Sequence, residues 1–230
     1  MHLWKEEIII INLEESNEDK YLSAPINALN LEKDNYELLM SIYEQALNQT
    51  FKTLEDVKTA LYKVYNHDVI NSISKRIKTP ESLINKMQKK HYEINFKNII
   101  DNINDVAGLR IACPVKSDIY TVIGIIEQMP NIKIIERKDY ITRPKKSGYS
   151  GYHLIIETPV TVNEQNVPVK VEIQIRTMAM DFWATNEHKV RYKTNKKLSN
   201  FDSKRLTAYA KIINILDDKI MEIYNKQELA

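Results

Sequence analysis

Between residues 169 and 175 apolar and polar side chains alternate without a break. Val169, Val171, Ile173 and Ile175 fall on one side, Lys170, Glu172 and Gln174 on the other. A period of two marks a strand with one buried face. Arg176 extends the polar side, so Glu172, Gln174 and Arg176 share one face. Thr177 then stands where a helix N-cap belongs, ahead of Met180, Trp183, Ala184 and Glu187 at helical spacing. From this strand alone a solvated sheet face is the plainer reading. The other is a wet cleft that holds a metal or a hydroxyl.

Composition narrows the function classes. The chain has 230 residues, 43% of them hydrophobic, enough for one sizeable core with a helical appendage. Lys and Arg number 33 against 31 Asp and Glu, a net charge of +2. That excludes a whole-protein electrostatic nucleic-acid binder but leaves room for local basic clusters. The one cysteine, Cys113, excludes an internal disulfide and fits a reducing cytoplasm; its apolar strand setting reads as a buried structural thiol. Apolar runs such as Ile8, Ile9, Ile10 and Ile11 are too short to span a bilayer, so no membrane partner is expected. Lys5, Glu6 and Glu7 break the order of a signal peptide, and none is expected. Only four glycines occur, which rules out a Walker loop and a dinucleotide fingerprint. If this chain handles nucleotides, side chains must grip the phosphates.

In chain order, residues 1–33 read as a peripheral extension. Helices are expected over 34–48 and again over 53–65, the second opened by Thr53 with Asp56 three residues on. A strand or turn over 73–77 gives way to a helix with Pro80 at its first position; Leu83, Ile84 and Met87 face inward, Lys86, Lys89 and Lys90 outward. A short helix or linker over 95–104 leads through Asp105 into a strand alternating at Leu109, Ile111 and Cys113. A helix over 117–129 and a strand over 132–138 follow. A polar loop over 139–152 carries Arg143, Lys145, Lys146, Gly148 and Tyr149. Strands over 152–159 and 168–176 form a hairpin turning at 163–166. The tail, residues 200–223, is an amphipathic helix with Leu206, Tyr209, Ile213, Leu216, Ile220 and Ile223 as its apolar stripe, suited to a partner helix or to the chain's own sheet. This order predicts an α+β fold, a mixed sheet flanked by helices.

Two carboxylates stand out, Asp105 at the head of one strand and Glu172 on another. Magnesium is often held by one or two carboxylates when substrate phosphates supply the rest. Arg76, Lys78, Lys86, Lys89 and Arg110 read either as solvated helix and strand faces or as a cradle for a nucleoside triphosphate. Tyr149, after Gly148 in a loop, offers an exposed ring as a platform for a base. The pair His67 and Asp68 evokes a metal hydrolase site, but His2, His91, His153 and His188 do not complete a ligand set, and a helix-end turn is the better reading.

Three motifs in order, DVAGLRI at 105–111, RKDYITRPKKSGYSGYH at 137–153 and VEIQIRT with FWATNEH at 171–188, resemble the synthetase domain of the RelA/SpoT family, and most of all its small alarmone synthetases. The resemblance runs from about residue 53 to the C terminus. It implies a nucleotidyltransferase-like sheet and a partition into an N-terminal extension and helix (1–52), a synthetase core (53–198) and a C-terminal packing or oligomerisation helix (199–230). It implies transfer of the β,γ-pyrophosphate of ATP to the ribose 3′-hydroxyl of GDP or GTP, with Mg2+ as cofactor, in the cytoplasm. By position it assigns Arg76, Lys78, Lys86, Lys89 and Arg110 to ATP, and Asp105 and Glu172 to magnesium, with Glu172 activating the 3′-hydroxyl. Tyr149 would stack on guanine; Lys138, Lys145, His153, Gln174 and Asn186 or Glu187 fall at acceptor-side positions. It also implies a homo-oligomer, typically a tetramer, and leaves room for an RNA or alarmone regulator. Where the family motif carries arginine and serine after the tyrosine, this chain has Ser150 and Gly151, which bears on the choice among GTP, GDP and GMP. Two alternatives stay open: pyrophosphate transfer to the 3′ end of tRNA, served by Arg143, Lys145, Lys146, Lys193, Lys196 and Lys197, and a catalytically idle nucleotide or RNA sensor.

Overall fold

A computed structural model of the protein describes residues 33–193 and 198–228. The extension expected ahead of residue 33, and Lys196 and Lys197, lie outside the described residues. The elements run α1 (Lys33–Tyr65), β1 (Ser72–Ile77), α2 (Pro80–Lys89), α3 (Phe96–Asn102), β2 (Ala107–Cys113), α4 (Lys116–Glu127), β3 (Lys133–Asp139), β4 (Tyr152–Val162), β5 (Gln165–Thr177), α5 (Met178–Lys193) and α6 (Asn200–Glu228). The five strands form one sheet in the order β1-β2-β5-β4-β3. β2 and β5 are parallel, and the other pairs are antiparallel. The expected mixed sheet with flanking helices is what forms.

The alternation in β5 sets the layers. Val171, Ile173 and Ile175 are fully buried and join Leu109, Ile111 and Cys113 of β2 and Leu154 and Ile156 of β4 in the main core. α1 lies against β1, β2, β4 and β5 with Leu39, Ile42, Tyr43, Ala46, Leu47 and Leu54 buried, and α4 contributes Ile119, Val122 and Ile126. The opposite face of the sheet keeps the polar residues. β4 and β5 turn through Asn163 and Glu164, both at positive φ (46° and 65°), a two-residue connection whose twist matches a hairpin. α2 starts as expected: Thr79 caps it through Ser82 N, and Pro80 fills the first position.

One expectation changes. The helices expected over 34–48 and 53–65 are one unbroken helix. The Thr50 and Thr53 hydroxyls bond back to the Ala46 and Gln49 carbonyls, so Thr53 serves the preceding turn instead of starting a new one. The stripe of α6, left open between a partner helix and its own sheet, is divided: Leu206 and Ile213 are half-buried, Ile213 against the Trp183 cluster. Ala210 and Asp217 face inward, while Tyr209, Leu216, Ile220 and Ile223 are exposed. Close approach sets this rotation. A Cβ on Gly148 (φ +92°) would lie 2.5 Å from the Ala210 Cβ, so the loop can seat against α6 only through a small residue on each side. Trp183 of α5 completes the contact, packing with Ala184 and Ala210 and donating from Nε1 to the Leu206 carbonyl.

Candidate active site

Register assembles the polar face. Ser74, Arg110, Gln174, His153 and Lys138 are consecutive cross-strand partners through all five strands. One step along, Arg76 pairs with Gly108 and Gly108 with Glu172. One step to the other side, Ala112 pairs with Arg176. Residues far apart in sequence thus share one surface because each lies at an even spacing from its neighbour on a strand.

The open side of this surface is a cleft of about 620 Å3 between the sheet, α2 and α5. Arg76, Lys78, Lys86, Lys89 and Arg110, all expected on the ATP side, line it together with Tyr149 and Gln174. Glu172 lines a smaller pocket that shares Arg76, Arg110 and Gln174 with this cleft. α2 delivers Ser82, Asn85, Lys86 and Lys89 from one face, at spacings of three and four.

Asp105 sits just ahead of β2, with its carboxylate between two lysines: Oδ1 is 2.6 Å from Lys86 Nζ, and Oδ2 is 3.0 Å from Lys78 Nζ. Burial pushes its carboxyl pKa up, but the two ammonium groups outweigh burial and hold it below the usual carboxylate range. Glu172 behaves alike. Burial raises its pKa, hydrogen bonds from His153 and Gln174 lower it, and the net direction is down. Both carboxylates are therefore ionised at neutral pH, and each feels a field of cations. Arg110 has its pKa lowered by burial and by the neighbouring Arg176 and Arg76 guanidiniums, a concentration of positive charge suited to a polyphosphate.

The acceptor-side residues form a second group. Tyr149 is half-buried, not exposed as the sequence implied. Its hydroxyl meets His153 Nε2 at 2.5 Å and Arg176 Nε at 3.1 Å, and Lys145 Nζ and the Arg176 guanidinium lie over its ring at 4.8 and 5.0 Å. Tyr140 stands edge-on to both Tyr149 and His153. Lys138 pairs with Glu136 at 2.8 Å; burial lowers its pKa, but Glu136 and, more weakly, Tyr140 and Glu172 outweigh it and the net direction is up. Asn186 does not join this group. It is exposed, and its amide donates to the Phe182 carbonyl one turn back on α5, while Thr185, Glu187 and His188 face the cleft. Cys113 is fully buried and its thiol pKa is pushed up by that burial. His67 donates from Nδ1 to the Tyr65 carbonyl and packs edge-on to Tyr65 and Tyr224, a helix-end role.

Sequence reasoning left Arg176 without a role, although it placed it on the right face. The side chain is 6% exposed and makes four contacts in the cleft, to Gln174, Tyr149, Asp181 and the Tyr149 ring. Its signal was the even spacing from Glu172. Ser82 and Asn85 were legible from the helical spacing that places them with Lys86 and Lys89.

Asp105 and Glu172 are a pair of hard oxygen donors beside a cationic cleft, and Glu172 gives each oxygen only one protein hydrogen bond. That donor set fits magnesium shared with substrate phosphates.

Comparison with known proteins gives the same direction. Residues 75–197 match the region found in RelA / SpoT proteins. The chain is 39% identical over 182 residues to the GTP pyrophosphokinase YwaC of Bacillus subtilis (strain 168), covering 79% of this chain and 87% of that protein. It is 31% identical to the GTP pyrophosphokinase YjbM of the same organism, over 84% of this chain and 90% of that one. Among solved structures, the small alarmone synthetase 1 of Bacillus subtilis bound to its product pppGpp superposes with a TM-score of 0.79 at 31% identity, covering 84% of this chain and 98% of that chain. The small alarmone synthetase 2 of the same species superposes with a TM-score of 0.75 at 35% identity, covering 84% and 99%.

Proposed function

The chain belongs to the RelA/SpoT family and is a GTP pyrophosphokinase of the small alarmone-synthetase kind, and from that premise we propose how its cleft divides the reaction. The observation that carries the assignment is the placement of Asp105 just ahead of β2 and Glu172 on its parallel neighbour β5, with Asp105 held by two of the five cations, Arg76, Lys78, Lys86, Lys89 and Arg110, that line the cleft.

The triphosphate of ATP lies along these five cations. The acceptor, GDP or GTP, enters from the β4 side, its base on Tyr149 and its charges near Lys138 and Lys145. The 3′-oxygen of the acceptor ribose attacks the β-phosphorus of ATP. The new bond joins that oxygen to the β-phosphorus, the bond from the α–β bridging oxygen to the β-phosphorus breaks, and AMP leaves with the bridging oxygen. The proton of the 3′-hydroxyl goes to the Glu172 carboxylate. A carboxylate held ionised in this way is available but weakly basic, so charge neutralisation and orientation contribute more than proton abstraction. Asp105 and Glu172 would hold magnesium, which when bound would neutralise charge on the transferring group. Residues 53–198 form the synthetase core of this reading, and the exposed stripe of α6 is the face that meets other copies in a homo-oligomer, a tetramer by family precedent. The reaction belongs in the cytoplasm; among the described residues no helix is long and apolar enough to cross a membrane.

The test is transfer of label from γ-labelled ATP with magnesium and, in turn, GTP, GDP, GMP and tRNA. Label on a guanine mononucleotide with stoichiometric AMP is the expected result, and the best acceptor reports what Ser150 and Gly151 change. Label on tRNA alone, or on nothing, overturns it.

A further inference from the structure

Five side chains of the cleft close a ring. Glu172 Oε2 accepts from Gln174 Nε2 at 2.7 Å, and Gln174 Oε1 accepts from Arg176 Nη2 at 2.6 Å. Arg176 Nε donates to the Tyr149 hydroxyl at 3.1 Å, that hydroxyl meets His153 Nε2 at 2.5 Å, and His153 Nδ1 meets Glu172 Oε1 at 3.1 Å.

The chemistry of the groups sets the direction of the bonds that leave Arg176 and of those that reach Glu172. A guanidinium only donates and a carboxylate only accepts. The Tyr149 oxygen accepts from Arg176 and shares a hydrogen bond with His153 Nε2 whose direction follows the state of the ring. His153 Nδ1 faces a carboxylate, so it carries a proton and donates it to Glu172. Gln174 is oriented in the same sense, with its oxygen toward Arg176 and its NH2 toward Glu172. Two arms therefore leave Arg176 and end on the two oxygens of Glu172.

Two further features hold the head of the ring. Arg176 Nη1 is anchored on Asp181 at 2.8 Å, and the side chain is buried. Gly151 leaves the space the ring needs. A Cβ there would stand 3.1 Å from Arg176 Cγ and 3.2 Å from the Tyr149 hydroxyl, on a backbone at φ +151° that side chains rarely adopt. Gly151 occupies the position where the motif this chain resembles carries serine.

We propose that Arg176 is a positioning residue for pyrophosphoryl transfer. Through Tyr149 and His153 on one arm and Gln174 on the other, it fixes the Glu172 carboxylate toward the acceptor 3′-hydroxyl and ties that orientation to the residue that carries the guanine. This rests on the reading of Glu172 as proton acceptor. It gives the Tyr149 hydroxyl a role that stacking does not require, since a base needs only the ring face.

Tyr149→Phe separates the two roles, because it keeps the face and cuts one arm. The expected result is a kcat lower by roughly tenfold with the guanine-nucleotide KM within about twofold of wild type. Arg176→Lys, whose single ammonium cannot serve Tyr149, Gln174 and Asp181 together, should lower kcat by about a hundredfold. Adding Tyr149→Phe to it should cost little more, because both changes open the same ring. Wild-type kcat in Tyr149→Phe, or full additivity of the two changes, overturns the proposal. Glu172→Gln measured alongside keeps the failures apart. Turnover in Glu172→Gln removes the catalytic assignment beneath the proposal, whereas a dead Glu172→Gln with a silent Tyr149→Phe removes the ring alone. If thermal unfolding shows that Arg176→Lys does not fold, Gln174→Leu cuts the second arm instead. It should lower kcat and be non-additive with Tyr149→Phe to the extent that both arms hold one carboxylate; full additivity in that pair also overturns the proposal.

Discussion

Lys86 Nζ lies 2.6 Å from Asp105 Oδ1, so a cation assigned to the triphosphate is held by a carboxylate assigned to the metal. Lys78 takes the other oxygen of the same group. In the free protein a divalent cation must compete with two ammonium groups for Asp105. A triphosphate offers those lysines other oxygens and frees the carboxylate. Metal affinity is therefore expected to depend on the nucleotide. Mn2+ followed by electron paramagnetic resonance should bind at least about tenfold more tightly with a non-hydrolysable ATP analogue than without. Lys86→Met should raise the nucleotide-free affinity. Equal affinity with and without the analogue would contradict this competition.

Glu172→Gln is expected to lower kcat by about a thousandfold or more while the far-ultraviolet spectrum stays that of wild type. The pH dependence has a definite sign. The Glu172 pKa in the folded protein lies below its unfolded value, so ionisation contributes stability above the ordinary glutamate range, near about pH 4.3, and that contribution is lost as pH falls through the folded pKa. No loss of kcat from this group is expected between about pH 8 and pH 6. A kcat profile of wild type that falls in that interval, and becomes flat in a variant at position 172 with residual turnover, would refute the assignment.

Tyr149→Ala removes the ring as well as the hydroxyl. Loss of a base-stacking face costs about 1–3 kcal/mol, so the guanine-nucleotide KM should rise by roughly tenfold or more while the ATP KM holds. Lys145, which lies over the same ring, should show a smaller effect in the same direction when changed to Met. Equal changes in both KM values would mean that Tyr149 supports the fold of the cleft and not the base.

The parts legible in the sequence were those governed by short-range periodicity. The alternation at 169–175 placed Glu172 and Gln174 on one face because a strand has only two faces, and Thr177 does cap α5, accepting from Met180 N. Pro80 and the Asn163 turn were legible because φ restriction acts within a few residues. The continuity of α1 was not, since a threonine at position 53 caps a helix or bonds back within one with similar ease. The rotation of α6 depends on Gly148 and Ala210 meeting across 62 positions of sequence, which no window detects. The same holds for the ring through Arg176. Its members come from β4, β5 and a loop, and their contact depends on the register of strands whose pairing the sequence does not state. Asn186 was placed by motif matching alone, and on a helix one position is a rotation of about 100°; that shift turns Asn186 to solvent and Thr185 to the cleft.

The outward face of α6 makes a prediction about assembly. Ile212, Ile215, Leu216 and Ile223 are each more than half exposed. An exposed apolar stripe of this kind is the surface that the proposed homo-oligomer requires. Leu216→Ser with Ile223→Ser should lower the mass measured by light scattering, with little change in the thermal midpoint at the lowest mass, because both side chains are more than half exposed on their own chain. An unchanged mass would remove this stripe from the interface.

The inner face of α6 is held by Asp217, which is 4% exposed and accepts the Thr177 hydroxyl proton at 2.5 Å. Burial raises its pKa above the usual carboxylate value, and the Thr177 bond and Lys116 only partly offset this. The folded pKa is therefore higher than the unfolded one, so the ionised form costs stability at neutral pH. That cost is relieved as pH falls through the folded pKa, opposite in sign to Asp105 and Glu172. Asp217→Asn keeps an acceptor for Thr177 and carries no charge to bury. Near neutral pH its thermal midpoint should exceed that of wild type. The gap should close as pH is lowered through the carboxylate range and wild-type Asp217 takes up its proton. Taking the difference between the two proteins cancels the acid destabilisation due to Asp105 and Glu172, which both carry. A variant less stable than wild type at neutral pH, with a gap that does not change with pH, would show that Asp217 is held as a charge paired with Lys116 and not as a buried acid.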